Sequence, residues 1–472
     1  MEKRLDLCGR KVIYTDTENI TRDNVVKVLK KAMETHAINS ADIDYLYRYY
    51  KGEQPILSRP KDVRPEINNK VAVNIANQIV TFKVGYSYSD PILYVCRKGH
   101  EDASEMVNLL NEYMYTEDKA EKDIDLATWF FIGGVGYRMI LPKTDRLEGD
   151  APFSVYDLDS RYTFVVRYSG LGNPIKMGVK YITLEDNKVL YSVYTDTHYY
   201  EILDDKIVKA EDHYLGKVPI IEYIANPVRL GAFEVVLPLL DAINEATSDR
   251  LNGIEQFIQA LLVLKGTDMD TAEFKELRAM GGLKIPTEGD VEYLTSELNQ
   301  AQTQTLLDDM YEKVLTICGM PNRNGGSSTS DTGTATIVRD GWEDCSSRAK
   351  ETDRHFNRSD KDFLRLAIRI TNTMDDIDLK LSSIDIKPSR RNYENIQMKA
   401  QVLTTMLNNP KVHPRYAFEY CNMFSDPELA YSESMAYYEQ YEAEMLKELE
   451  EETPIEGEEE ENEEVKGEDE DV

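Results

Sequence analysis

The chain has 472 residues, and at roughly 150 residues per domain this length predicts about three structural units. Hydrophobic residues make up 41% and charged residues 30%, which excludes a wholly disordered chain and favours a large core under an ionised surface. No run of about 18 uncharged apolar residues occurs, so neither a membrane-spanning segment nor a membrane partner is predicted.

The distribution of charge and the spacing of the cysteines argue against two further kinds of site, a broad nucleic-acid-binding face and a zinc site. Residues 442–472 hold 17 acidic and 2 basic side chains, so this tail carries −15 of the net charge of −31 and is expected to be disordered from residue 453 onward. The remainder offers nucleic acid no broad basic face. Five widely spaced cysteines form no Cys-x-x-Cys pair, which favours reduced thiols over a zinc site. The first ten residues lack an apolar secretory segment, so synthesis in the cytoplasm is expected.

The first part of the chain is predicted to be helical and the next part to form strands. Apolar residues spaced by three and four indicate helices over residues 21–50, 71–86 and 104–131, the last a single long helix. From residue 136 the pattern alternates, which predicts an antiparallel meander. Its strands are residues 136–141, 151–155, 162–168, 175–184, 189–195 and 198–203.

A hairpin of two long helices is predicted after the strands. Residues 235–264 carry an apolar stripe that includes Ile243, Leu251 and Ile254, and residues 298–318 form the returning helix. The insert between them is predicted to contain a helix over residues 271–280 and a strand over residues 283–286.

A Gly/Ser/Asn-rich loop follows this hairpin. Residues 319–333 read GMPNRNGGSSTSDTG, and a loop of this length between two strong helices favours a functional role over a simple connection. Residues 334–374 then predict the longest helix. Its polar face carries basic residues interleaved with acids, which predicts either contact with DNA phosphate or ion pairing with a neighbouring helix or subunit. The basic residues are Arg354, Arg358, Lys361, Arg365 and Arg369.

The last folded part is predicted to be a short strand followed by helices. The strand covers residues 377–386, and the helices cover residues 393–407, 414–424 and from 427 onward. Pro427 suits the first turn of the last helix because a first-turn residue needs no N–H partner.

No complete catalytic or metal-binding arrangement is recognisable in the sequence. Phosphate-loop, HExxH and GxSxG signatures are absent. Asp157 and Asp159 could chelate a metal, although aspartates are also ordinary turn residues. Asp331 begins an aspartic-protease-like Asp-Thr-Gly triplet but lies in a Ser/Thr-rich stretch, which favours a loop and helix-cap interpretation. We therefore predict no catalytic residue, no metal and no cofactor.

Several short motifs resemble one protein family in collinear order. They are residues 45–52 (YLYRYYKG), 69–74 (NKVAVN), 83–86 (KVGY) with 90–92 (DPI), 133–137 (GGVGY), 215–222 (LGKVPIIE), 241–244 (DAIN) with Ser248, and 332–335 (TGTA). Together they resemble the portal, or head-to-tail connector, proteins of tailed bacteriophages, in particular the branch found in long-tailed phages of Gram-positive bacteria. The threonine at position 332 departs from the serine usual in that family. Agreement of many local matches over about four hundred residues strengthens the assignment.

The resemblance implies an α+β portal architecture and a structural, non-enzymatic function. The protein would form a ring at one capsid vertex, through which double-stranded DNA is packaged and ejected. The implied domains are a wing (1–232), stem helices (233–264 and 298–318), a clip (265–297), a tunnel loop (319–333), a long wing helix and strand (334–386), a helical crown (387–452) and a disordered acidic tail (453–472).

The resemblance also implies the site residues and partners. The tunnel loop would line the DNA channel through Asn322, Arg323, Asn324, Gly325, Gly326, Ser327, Ser328, Thr329 and Ser330. The partners would be further copies in a dodecameric ring, double-stranded DNA bound without sequence specificity, the terminase large subunit, a head-tail adaptor, and the scaffolding and major capsid proteins. The protein would reside in the virion after synthesis in the bacterial host cytoplasm.

Two other functions remain open at this level. One is another ring-forming connector or adaptor protein of the virion, although such proteins are usually shorter and lack a long helical hairpin with an insert. The other is a metal-dependent enzyme acting on nucleic acid or sugar phosphate through Asp157, Asp159 or Asp331. It predicts metal binding and turnover, whereas both structural functions predict rings.

Overall fold

A computed structural model gives the fold of the chain. It describes residues 2–4, 6–62, 64–97, 99–258, 261–265, 270, 290–294, 300–322, 341–387, 396–421, 423–424 and 427–452. Within these ranges no helix is both long enough and apolar enough to cross a bilayer. The chain divides into two compact units, Met1–Asn392 and Tyr393–Val472. Long helices and antiparallel sheets confirm the predicted α+β class.

Helices open the first unit, with one break that the sequence did not reveal. They are α1 (Val25–Tyr50), α2 (Ile75–Tyr88), α3 (Ser104–Thr116) and α4 (Lys119–Gly133). The prediction of one helix over residues 104–131 is wrong, because the chain turns at Asp118, whose φ of 50° is left-handed. Residues 116–118 contain no glycine or proline, so helix periodicity continues across the break without a signal.

The strands form four sheets within the described residues. In chain order they are β1 (Tyr14–Thr15), β2 (Leu93–Cys96), β3 (Val135–Pro142), β4 (Phe153–Leu158), β5 (Thr163–Tyr168), β6 (Ile175–Thr183), β7 (Val189–Tyr194), β8 (His198–Leu203), β9 (Lys206–Asp212), β10 (Ile220–Ile224), β11 (Leu261–Lys265), β12 (Asp290–Leu294) and β13 (Ile384–Lys387). The largest sheet has the order β1-β5-β6-β7-β8-β9, and its inner face packs on α1 through Val28, Leu29, Phe164 and Val179.

The predicted single meander is wrong at its beginning. Strands β3 and β4 pair with the later strand β10 in a separate three-stranded sheet of order β10-β3-β4. Alternation along a strand reports which side chains are buried but not which strand lies alongside, so the sequence could not separate the two sheets. Strands β1, β2, β9, β10, β11 and β12 were not predicted as strands.

The helical hairpin is present but its first helix is shorter than predicted. Helix α5 (Leu237–Ile258) ends before residue 264, and β11 takes the last part of the predicted helix. Strand β11 pairs antiparallel with β12, and the chain returns through α6 (Gln300–Cys318). The helix and strand predicted over residues 271–280 and 283–286 lie outside the described residues. Leu261–Lys265 is rich in branched aliphatic residues, which suits a strand as well as a helix.

The longest helix lies across the sheets. Helix α7 (Trp342–Asp375) buries Phe356, Phe363 and Ile370 in the main core, which it shares with α2, α4 and β10. The strand predicted after it is shorter than expected, and β13 pairs with β2. The predicted start of α7 near residue 334 lies outside the described residues.

A buried ionic cluster ties α4, β3, β4 and α7 together. Arg138, which is fully buried, places Nη1 2.6 Å from Asp123 Oδ1 and Nε 2.8 Å from Asp157 Oδ1. Burial disfavours the cation, but the two carboxylates outweigh burial and raise the pKa of Arg138. Lys119 Nζ lies 2.7 Å from Asp123 Oδ2, and buried Asp360 of α7 accepts hydrogen bonds from the hydroxyl groups of two tyrosines. These tyrosines are Tyr94 and Tyr223.

The second unit is helical, as predicted. It contains α8 (Ile396–Leu407), α9 (Pro414–Cys421) and α10 (Pro427–Glu452). Phe418 is buried within this unit and its ring packs on Tyr431 at 5.8 Å between centroids. Pro427 stands at the start of α10, and the acidic residues 453–472 lie outside the described residues.

Candidate functional site: the helix pair α5 and α6

A row of polar side chains runs along one buried face of α5. The spacing of three, four and four residues places these side chains on one side of a helix with 3.6 residues per turn. All are at most 6% exposed, so each needs a hydrogen-bond partner inside the protein. The row consists of Asp241, Asn244, Ser248 and Asn252.

Three side chains of this row accept hydrogen bonds from alternate backbone amides of residues 69–73. The N–H of Asn69 donates to Asn252 Oδ1 at 2.7 Å, that of Val71 to Ser248 Oγ at 3.0 Å, and that of Val73 to Asn244 Oδ1 at 2.8 Å. Two residues of extended chain advance about 6.6 Å and four residues of helix advance about 6 Å. The spacing between alternate residues of the segment therefore matches the spacing between successive acceptors on α5. Regular hydrogen bonds hold the segment along the helix, although the segment itself has no regular secondary structure.

The N-terminal half of α5 is held to the C-terminal end of α1 and to the segment that follows it. Tyr49 Oη donates to Asp241 Oδ1 at 2.9 Å, and Asn244 Nδ2 donates to Gln54 Oε1 at 2.6 Å. Burial and the neighbouring Asp241 charge raise the pKa of Tyr49, and burial raises the pKa of Asp241. The tyrosine therefore stays a hydrogen-bond donor at neutral pH.

These contacts bring together motifs that are far apart in the sequence. Residues 45–52, residues 69–74 and the 241–248 motif were each noted for their resemblance, and the structure places them in one buried hydrogen-bonded group. The roles of Gln54 and Asn252 were missed. The spacing of the polar residues along α5 could have indicated a buried polar face. The buried face of α5 was instead predicted from the apolar residues beside them.

The apolar stripe predicted along α5 is only partly buried. Leu240 and Ile243 are buried, whereas Leu251 and Ile254 are 41% and 38% exposed. Ser248 and Asn252 take the inward face of this half of the helix because the segment of residues 69–73 needs acceptors there. The second half of α5 therefore turns apolar side chains outward.

The C-terminal end of α6 is fixed where the predicted loop begins. Gly319 has a left-handed φ of 63°, and a side chain there would meet Arg348 Cδ at 2.3 Å. Two cations bind the last carbonyl groups of the helix: Lys83 Nζ donates to the Cys318 carbonyl at 2.7 Å and Arg348 Nη1 to the Ile317 carbonyl at 2.8 Å. Burial lowers the pKa of Lys83.

Only the first of the predicted channel residues is described. Asn322 Nδ2 donates to Glu312 Oε1 of α6 at 3.4 Å. The described chain resumes at Gly341, immediately before α7. The other eight positions lie outside the described residues, as does Asp331. They are Arg323, Asn324, Gly325, Gly326, Ser327, Ser328, Thr329 and Ser330.

The remaining enzyme candidates, Asp157 and Asp159, are partners of arginines. Asp157 lies in β4, not in a turn, and both its carboxylate oxygens accept hydrogen bonds from Arg138. Asp159 is held by Arg161, with Nη2 2.7 Å from Oδ2. Across the part of the chain that the structure describes, no group of three His, Cys, Asp or Glu side chains could hold a metal ion.

A family comparison identifies the chain. A family model described as "Phage portal protein, SPP1 Gp6-like" matches residues 29–458 of the 472. The chain belongs to this portal family. The portal chain is accordingly a structural connector component of a phage-type virion and capsid, as the resemblance of its motifs predicted. No curated protein sequence matches it at a significant level.

Solved structures give weaker likenesses to this portal chain. The neck of an empty gene transfer agent (GTA) particle, computed with C6 symmetry, shares 10% identity over 75% of this chain and 91% of that chain, at a TM-score of 0.42. The virion of a native GTA particle shares 11% identity over 81% of this chain and 94% of that chain, at a TM-score of 0.43. The family assignment rests on the match over residues 29–458 and not on these likenesses.

Proposed function

We propose that this protein assembles into a ring, dodecameric in the virion, whose axial channel conducts double-stranded DNA during packaging and ejection. The observation that carries the proposal is the family match over residues 29–458. The proposal places the protein at the portal vertex of the capsid, after synthesis in the bacterial host cytoplasm. Neither an enzymatic activity nor a cofactor is part of the proposal.

The stem helices support assembly into a ring. Helix α5 is held to its own chain by the buried polar row, while apolar side chains of both stem helices remain exposed. They are Leu251 and Ile254 on α5, and Leu306 and Ile317 on α6. Exposed apolar side chains on a rigid helix pair suit a permanent contact with a neighbouring subunit.

The capped end of α6 supports a channel loop beginning at Gly319. Two cations and a left-handed glycine hold the point at which the chain leaves the stem, so the residues that follow start from a fixed position. We assign residues Asn322 to Ser330 to the channel lining. Hydroxyl and amide groups there would make transient contacts with phosphate, and an acidic ring with few tight phosphate sites would let a polyanion slide.

The domain assignment follows the same proposal. Residues 1–232 and 334–386 form the wing, residues 265–297 the clip and residues 387–452 the crown. The stem is α5 with α6, its first helix ending at Ile258. The partners proposed for these surfaces are the terminase large subunit, a head-tail adaptor, and the scaffolding and major capsid proteins. The DNA contact is independent of base sequence.

Native mass spectrometry with negative-stain imaging of the purified protein tests the ring. We expect a closed assembly of about a dozen copies with a central hole, because heterologous contacts close into rings. Protein that stays monomeric at every concentration, alone and with its scaffolding partner, would contradict the proposal. Deletion of residues 323–330 then tests the channel loop: rings should persist while DNA retention in packaged capsids falls. Unchanged packaging and retention would remove the loop from the proposal.

A further inference from the structure

Helix α7 presents a stripe of cations that form no ion pair with any described residue. The stripe follows the exposed face with spacings of four, four and three residues and consists of Lys350, Arg354, Arg358 and Lys361. None of these cations forms an ion pair within the described residues, although acids outnumber bases in the chain by 86 to 55. Further along the helix, Arg365 is already paired with Asp362 at 2.6 Å.

A second stripe, of carboxylates, lies on α3 and α4. Its members are exposed, and none is paired with a cation in the portion of the chain described here. They are Glu105 and Glu112 on α3, Asp118 in the turn between the two helices, and Glu121 and Asp125 on α4. Burial, followed by the charges of Asp157 and Glu121, raises the pKa of Asp125. An external cation would relieve this crowding of like charges.

Helix α4, which carries part of the carboxylate stripe, and helix α7 share one buried cluster. On the inner face of α4, Lys119 and Asp123 join the ionic cluster, and Lys119 Nζ lies 3.9 Å from Asp360 Oδ1 of α7. Since both inner faces are fixed in the same core, the outward stripes keep a constant geometry within one subunit. They do not neutralise each other inside that subunit.

We propose that the cationic stripe of α7 binds the carboxylate stripe of α3 and α4 on a neighbouring copy of this chain. This inference rests on the proposed ring. A ring closed by rotation uses heterologous contacts, which require two different and complementary surfaces on every subunit. Opposite charges on the two surfaces meet this requirement, set the register between neighbours and speed their encounter.

Charge reversal tests the pairing. The variant R354E/R358E/K361E has two acidic faces, and E105K/E112K/E121K has two basic faces. For each variant alone, we expect the fraction of protein in rings to fall by more than about tenfold at roughly 0.15 M salt, because like charges then meet at every contact between subunits. An equimolar mixture should form rings of alternating subunits, and a chain carrying all six substitutions should form rings by itself. Native mass spectrometry reports composition, and circular dichroism confirms that each variant is folded.

A matched control reverses three exposed cations elsewhere. K27E/K31E/K206E makes the same change in net charge on α1 and β9, and should form rings as the wild type does. Loss of rings in this control to the same extent would overturn the proposal, since net charge alone would then explain the effect.

Other outcomes also overturn it. If the wild type forms rings and R354E/R358E/K361E forms them equally well, the ring stands and the pairing fails. If that variant keeps its rings but loses affinity for a DNA duplex of about 30 base pairs in fluorescence anisotropy, the stripe is a phosphate contact instead. Failure of the mixture to form rings contradicts complementary faces. If the wild type itself never forms rings, the proposed function fails and this inference fails with it.

Discussion

The backbone N–H of Val71 donates to Ser248 Oγ at 3.0 Å, and Ser248 is fully buried. This bond is the middle one of three that hold residues 69–73 against helix α5. The orientation of helix α5 within its own chain therefore depends on side-chain acceptors and not on apolar packing alone.

Replacing Ser248 by alanine leaves the Val71 amide without an acceptor. We expect a loss of about 1–3 kcal/mol in the free energy of unfolding, the cost of burying an unsatisfied amide. Urea denaturation followed by circular dichroism measures the loss. S248T keeps a hydroxyl group and should lose less, and S347A on the exposed face of α7 should change little. Equal stability of S248A and S347A would contradict this role of Ser248.

Replacing Arg138 by methionine removes the centre of the buried ionic cluster. Among the described residues, Asp157 then loses its only cation and Asp123 keeps only Lys119, so we expect the free energy of unfolding to fall by about 3–5 kcal/mol. The matched control is R365M, which breaks an exposed pair with Asp362 and should cost less than about 1 kcal/mol. Thermal unfolding of both variants measures the difference. Similar losses would show that burial does not set the strength of these pairs.

His36 should make stability depend on pH. Its ring stacks on Phe164 at 4.3 Å, and its Nε2 lies 3.1 Å from the Arg161 carbonyl oxygen. Burial lowers the pKa of His36 from 6.5 to about 4. The unfolded chain therefore binds a proton first as pH falls, so this contribution is complete above pH 6.5 and is lost toward pH 4, by about 3 kcal/mol.

The variant H36Q isolates this contribution. Glutamine can still donate to the Arg161 carbonyl but does not titrate, so the fall in stability between pH 6.5 and 4 should be smaller than in the wild type. Denaturation curves at each pH measure it, and H355Q on α7 serves as a control. Parallel pH profiles for the wild type and H36Q would rule out His36 as the source.

The exposed apolar residues of the stem should matter for assembly and not for folding. L251D/I254D places charge on side chains that are 41% and 38% exposed, so the monomer should keep its stability within about 0.5 kcal/mol. Rings should be lost, because charge would be buried at each contact. Native mass spectrometry measures the ring fraction. L147D/L171D changes two more exposed leucines outside the stem and should leave rings intact. If L251D/I254D forms the same fraction of rings as the wild type, Leu251 and Ile254 do not lie in the interface between subunits.

The sequence by itself determined most of the elements and the family. Local periodicity predicted α1, α2, α6, the strands from β3 to β8 and the helices of the second unit, because which side chains alternate or recur is a property of neighbouring residues. The collinear motifs predicted the portal family that the match over residues 29–458 confirms.

The tertiary structure decided which faces and partners those elements have. It alone showed that β10 joins β3 and β4, that Asp157 is neutralised by Arg138, and that Ser248 and not Leu251 faces inward on α5. Each of these three contacts joins residues that are between 19 and 177 positions apart in the sequence. A local pattern reports whether a position suits burial, but the identity of the neighbour is fixed only when the whole chain has packed.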